Sequence, residues 1–157
     1  MSKHGSSSLT SVLKDHKELE SVFNSHQRAL LARDIDGALG LLTRFQGSLD
    51  RHIQYEEDVL LPLYVQRGAE AEGGTLKIFQ AEHLKLRALT DKLTQLTAEL
   101  YGSPDVTGEI LAIFDQETLF KGLFSHHALR EQNILFPRLD ACTTEAERAK
   151  LLRQHVH

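Results

Sequence analysis

Four long segments of this chain each carry an apolar stripe at three-and-four spacing, and every stripe includes at least one histidine. The first stripe is Leu9, Val12, His16, Leu19, Phe23, His26 and Leu30, and the second is Ala38, Leu42, Phe45, Leu49, His52, Glu56, Val59 and Leu63. The third runs through Leu76, Phe79, His83, Leu86, Leu89, Leu93 and Leu96, and the fourth through Ile110, Ile113, Glu117, Phe120, Phe124, His127, Glu131 and Ile134. That period is helical, the segments are too long for strands, and no alternating run competes with them. Punctuation sets helices over about residues 8–32, 35–66, 75–100 and 106–139. Serines or Thr10 cap the first and Asp34 the second, while RGAEAEGG and YGSPD stop the second and third. Thr144 and Glu147 have capping-box spacing for a short fifth helix, whose apolar residues Ala149, Leu151, Leu152 and Val156 serve docking onto the other helices or a dimer contact. The expected fold is all-α, an up-down-up-down four-helix bundle with a short C-terminal fifth helix. Its expected organisation is a flexible N-terminus over 1–8, the bundle over 9–139, and the short helix and tail over 140–157.

Bulk properties exclude several function classes. A chain of 157 residues suits one domain with one sizeable core. Its charge of −4, from 18 basic and 22 acidic residues, leaves no basic stripe to neutralise phosphates, so nucleic acid is not an expected partner. The longest apolar run, VLLPLYV, contains a proline and falls far short of the roughly 20 residues of a membrane span. MSKHGSSSL lacks the apolar core of a secretory signal, which makes the expected location cytoplasmic. Cys142 is the single cysteine, so an internal disulfide and a thiolate-rich metal cluster are both ruled out. Histidine and carboxylate are left to carry the chemistry.

They recur in a pattern. His52, Glu56, Leu60 and Pro62 match His127, Glu131, Leu135 and Pro137 step for step. Residues four apart share a helical face, so each pair presents a nitrogen and a carboxylate inward from one turn. In an up-down-up-down bundle the second and fourth helices run the same way, and His16 and His83 enter from the other two walls. Singly, such a pair reads as a surface ion pair and a core histidine as a hydrogen-bonded one. Six ionisable groups buried together cost several kcal/mol per ion in desolvation unless a cation compensates, and no lysine or arginine lies on the seams beside them. Two divalent ions fit the set, bridged by the carboxylates at roughly 3.5–4 Å with two histidines left for each. The charge balance calls for a bridging oxide or hydroxide. Imidazole with carboxylate favours iron, with manganese or zinc as substitutes.

DHKELE, HIQYEED, EHLKL and HHALREQNILFP, in that order, resemble the hemerythrin-like, or HHE, cation-binding domains over about residues 9–139. The resemblance implies a non-haem di-iron centre in which His16 and His52 bind one iron, His83 and His127 the other, and Glu56 and Glu131 bridge them. Oxygen-carrying members have a further histidine one turn after the third-helix ligand, where this chain has Arg87. The pattern is thus more similar to bacterial proteins linked with repair of iron centres, whose cysteine-containing amino-terminal domain has no counterpart in this sequence. The E-x-x-H signature of ferritin-like proteins is absent.

The remaining polar residues divide by helical position. His126 is turned about 100° from His127 and faces an interface or solvent, with binding metal in place of His127 as its alternative. Glu57 and Asp58 read as a solvated acidic edge, with reach into the site as the alternative for Glu57, and Glu20 as a surface residue or an acceptor behind a ligand. His26 and Glu117 each lie ten residues from a proposed ligand, about 15 Å along the axis, and are expected to pair. Tyr55 and Arg87 line an access path or serve packing and surface roles. His4, His155 and His157 belong to the termini and receive no role. Pro62 and Pro137 either kink their helices just beyond the site or end them. The expected function is binding or sensing of oxygen, nitric oxide or peroxide, or iron handling, by a monomer or homodimer. The competing readings are a redox enzyme (nitric oxide reductase, peroxidase or iron-centre repair) and a bundle that metal merely staples.

Overall fold

A computed structural model of the chain describes residues 8–155, and every named element among them is helical. A 3-10 turn over Leu9–Leu13 leads into α1 (Lys14–Leu31), followed by α2 (Ile35–Tyr55), a π turn over Glu56–Leu60, and α3 (Leu61–Gln66). Then come α4 (Leu76–Glu99), a 3-10 turn over Leu100–Gly102, and α5 (Val106–Arg130). A second π turn over Glu131–Leu135, α6 (Phe136–Cys142) and α7 (Glu145–Gln154) complete the described chain. The only strand-like pairing among these residues is an isolated bridge between Ala71 and Gly74.

Side-chain acceptors fix where the helices begin. Asp34 accepts from the Gly37 amide at 2.9 Å and Asp105 from the Gly108 amide at 3.0 Å. A Cβ on either glycine would stand 2.2 Å from the capping carboxylate, so a larger residue there would make that carboxylate shift. Ser8, rather than Thr10, caps the first turn, and its hydroxyl also donates to Asp140. Thr144 and Glu147 form the reciprocal capping box of α7.

The prolines interrupt their helices instead of ending them. Proline lacks an N–H and its ring clashes with the carbonyl four residues back. Upstream of each proline the helix widens by one residue: the Leu61 amide donates to the Glu56 carbonyl and the Phe136 amide to the Glu131 carbonyl. The added residue turns everything downstream by about 100°. Leu60 and Tyr64 therefore take the buried positions expected for Val59 and Leu63, and Leu135 takes that expected for Ile134.

α1 packs on α2, α2 on α4, α4 on α5, and α5 on α1. Inside this ring are two apolar clusters. One contains Phe23, Leu42, Phe45, Leu86 and Phe120, and the other Leu9, Val12, Leu60, Tyr64, Phe79 and Leu135. α7 covers the second cluster with Leu151, whose carbonyl accepts the Tyr55 hydroxyl at 2.9 Å. His4, Val156 and His157 lie outside the described residues, as does the expected flexible N-terminus apart from Ser8. No described helix is long and apolar enough to cross a membrane.

Candidate metal centre

Between the two apolar clusters lies a polar level. Along each rod it falls between a residue of one cluster and a residue of the other: His16 between Val12 and Leu19, His83 between Phe79 and Leu86, and Glu131 between Phe124 and Leu135. His16, His52, Glu56, His83, His127 and Glu131 are all buried here, and both glutamates are 0% exposed.

The two carboxylates span the histidines. Glu131 Oε1 lies 2.7 Å from His16 Nε2 and 3.5 Å from His52 Nε2, while its Oε2 lies 2.9 Å from His127 Nε2. Glu56 Oε2 lies 2.9 Å from His52 Nε2, and its Oε1 lies 2.9 Å from His83 Nε2 and 4.0 Å from His127 Nε2. Each glutamate thus turns one oxygen toward His16 and His52 and the other toward His83 and His127. Glu56 Oε2, Glu131 Oε2 and His127 Nε2 nevertheless have no hydrogen-bond partner, because their close approaches lack hydrogen-bond alignment. Donors about 2.1 Å from a shared ion at right angles stand about 3 Å apart, so this spacing without alignment fits a coordination shell. Four imidazoles and two carboxylates also suit iron, manganese or zinc better than magnesium or calcium.

Electrostatics favour positive charge at this level. Burial would lower the pKa of His127, but the Glu131 charge and the hydrogen bond with Glu82 outweigh it and hold it at about 10. His52 is raised well above its ordinary value: burial opposes this, while the Glu56 charge and the Asp15 hydrogen bond prevail. His83 is raised through Glu56 and Glu57 against the same burial. Burial would raise Glu131, yet the charge of His127 keeps it well below the usual carboxylate range.

A set of outer carboxylates, which the sequence did not single out as such, orients the rings. Asp15 accepts from His52 Nδ1 at 3.0 Å, Glu57 from His83 Nδ1 at 2.6 Å, and Glu82 from His127 Nδ1 at 2.8 Å. With Nδ1 bearing hydrogen, each Nε2 is the nitrogen that would offer its lone pair to an ion displacing the inner proton. Glu57 is therefore no solvated edge, whereas Asp58 is exposed and bonds Gln54. Asp15 and Glu82 each directly precede a histidine of the cluster, a D-H and E-H pairing visible in the sequence. His155 is also engaged: its Nε2 lies 2.6 Å from Asp15 Oδ2, and its ring packs on Tyr55 at 4.8 Å. Burial would raise Asp15, but hydrogen bonds from His155 and His52 hold it low.

The other expectations resolve by position. His126 and Glu20 are exposed. Arg87 turns outward to Asp50 at 3.2 Å and Tyr55 packs under α7, so neither lines an access path. His26 Nε2 lies 2.5 Å from Glu117 Oε2, with both side chains fully buried, as their spacing predicts. A cleft between α1 and α5 is lined by Phe23, Phe45, Phe120 and Phe124 together with the polar Glu20, Asn24, Lys121 and Ser125, and the Phe124 ring stands 5.8 Å from that of His16.

The family model described as the hemerythrin HHE cation binding domain matches residues 8–139. The iron-sulfur cluster repair proteins YtfE of Salmonella paratyphi B, Salmonella newport and Salmonella heidelberg are 26% identical to the chain over 103 residues. That match covers 65% of this chain and 46% of each relative, so the chain spans less than half the length of these curated relatives. No solved structure matches.

Proposed function

Because the chain belongs to the hemerythrin HHE cation-binding domain family, we propose that it is a non-haem di-iron protein that binds or senses a small ligand such as oxygen, nitric oxide or peroxide. The observation that carries this reading is the two-sided reach of Glu56 and Glu131, one oxygen toward each pair of histidines. His16 and His52 would hold one ion and His83 and His127 the other, with Glu56 and Glu131 serving both. Bound here, the irons would supply ferrous–ferric exchange and a coordination position for the ligand.

The protein's own contribution is to fix the donors and dry the site. Asp15, Glu57 and Glu82 hold three imidazoles in one tautomer, and apolar residues close the level from both ends. An up-down-up-down course of the rods delivers the four walls. Supporting it are the pairings of residue 15 with 52 and 26 with 38, of 16 with 131 and 26 with 117, and of 46 with 91 and 57 with 83. Each set descends on one helix as it climbs on its neighbour.

A second reading, iron handling or repair of iron centres, is supported by the relatives, which are iron-sulfur cluster repair proteins. Metal analysis followed by optical spectra of the reduced, iron-loaded protein separates the two. Rapid reversible change on adding oxygen or nitric oxide is the expected outcome. Transfer of iron to an acceptor without such change favours repair, catalytic consumption of the ligand favours an enzyme, and inertness favours a metal staple. The Glu56→Ala, Glu131→Ala double variant should lose the response, and an unchanged spectrum would remove the bridging roles.

A further inference from the structure

The candidate site is built from two halves that repeat. In the first half Asp15 orients His52, His52 faces Glu56, and His16 reaches the glutamate of the other half. In the second half Glu82 orients His127, His127 faces Glu131, and His83 reaches Glu56. The π turns and prolines repeat as well. One contact does not. Glu57 accepts from His83 Nδ1 at 2.6 Å, but the residue one past Glu131 is Gln132, exposed, and among the described residues no carboxylate meets His16 Nδ1.

The inner shell is unequal in the same direction. One donor atom from each of Glu56, His83, His127 and Glu131 falls within a mutual 4.8 Å, whereas the His16 side gathers only His16, His52 and Glu131 at that limit. Behind the four-donor side stand two carboxylates, Glu57 and Glu82, the latter also held by Arg130 at 3.0 Å. Behind the three-donor side, among the described residues, stands one carboxylate, Asp15, shared with His155.

We propose that the two metal positions are unequal and fill in order, the His83 and His127 position first, with Glu57 as the positioning residue that sets the order. The inference rests on the di-metal reading above. A carboxylate on the outer nitrogen locks the ring's orientation and strengthens the inner nitrogen as a donor, and losing such a partner typically weakens metal affinity by about 10–100-fold. The His16 position lacks one such partner, so its ion is the weaker-held and the more readily exchanged.

The test is an anaerobic titration of the full-length, chelator-stripped protein with cobalt(II), whose absorption reports coordination, together with competition by a chromophoric chelator. The native protein should bind two ions in steps separated by about 10–100-fold. Glu57→Gln should weaken the tighter step by a similar factor and merge the two, while Glu57→Asp restores part of the separation. Gln132→Glu should tighten the weaker step. Circular dichroism should be the same throughout, since Glu57 is half-buried and Gln132 exposed. Two indistinguishable steps in the native protein, or a Glu57→Gln variant that alters neither step, only the weaker one, or both alike, overturns the order proposed and leaves the di-metal reading standing. Protein that takes up no cobalt overturns that reading and this inference with it.

Discussion

Replacing Glu117 by leucine should be among the most destabilising single changes outside the metal level. His26 Nδ1 lies 2.8 Å from the Ala38 carbonyl, which can only accept, so Nδ1 carries a hydrogen, and its Nε2 lies 2.5 Å from Glu117 Oε2. Glu117 Oε1 also accepts from Gln27 at 3.0 Å. Both side chains of the pair are 0% exposed, so Glu117→Leu leaves a buried imidazole nitrogen with neither partner nor water. Removing one member of a buried pair costs about 3–5 kcal/mol. For a chain of this length each kcal/mol moves Tm by about 2–4 °C, so the midpoint should fall by roughly 6–20 °C. The double variant His26→Leu, Glu117→Leu should recover most of this, because two apolar side chains of similar size need no compensation for desolvation. Urea and thermal unfolding of all four proteins, chelator-treated and iron-loaded, measures the cycle. Metal content should not change, as the site is about 15 Å away. A loss under about 1 kcal/mol in Glu117→Leu, or a double variant no more stable than the single, refutes the reasoning.

Other outcomes follow from the same contacts. His127 is held at about 10 against its ordinary 6.5, so its protonation stabilises the metal-free fold fully below pH 6.5, and that stabilisation is lost as pH rises through about 10. Chelator-treated protein should therefore lose Tm over that window while the metal-loaded protein changes less. A flat metal-free profile would contradict the charge balance at this level. Metal uptake at pH 7 should release protons, measurable with a pH indicator in weak buffer, because ions displace protons from the raised imidazoles. Tyr55→Phe leaves the Leu151 carbonyl without its donor and should cost about 1 kcal/mol, with faster amide exchange across α7. Thr144→Ala removes the cap of α7 and should cost about 0.5–2 kcal/mol, with exchange rising over residues 145–154 first.

Much of this was legible in the sequence because it rests on period and local chemistry. The stripe through His16, Leu19, Phe23, His26 and Leu30 is buried throughout, as three-and-four spacing requires. The caps Asp34 and Thr144 are local, and the six clustered groups were readable as facing one another from their positions on four such stripes. The His26–Glu117 pair followed from two equal offsets on neighbouring helices. The π turns were illegible: a widened turn leaves no mark in periodicity except a register slip, and VLLPLY is apolar enough to hide one. Glu57 was misread for a related reason, since its place relative to Glu56 depends on the geometry at the start of that turn. Nor could His155 be placed, because its partner Asp15 lies 140 positions away and depends on where α7 docks.

The duplication of the site has a consequence for assembly. The stretch over residues 67–75, pinned where Gly74 fits under Ile134 and its carbonyl accepts from Tyr64, joins two helical hairpins. Each brings two imidazoles and one glutamate, which is half of the donor set proposed for the two ions and a poor chelator alone. Severing this connection would turn an intramolecular closure into an encounter between fragments, and the ions would become the rivets of a heterodimer. Connectivity here acts through effective concentration, keeping the halves within reach at the scarce metal levels where separate pieces would drift apart.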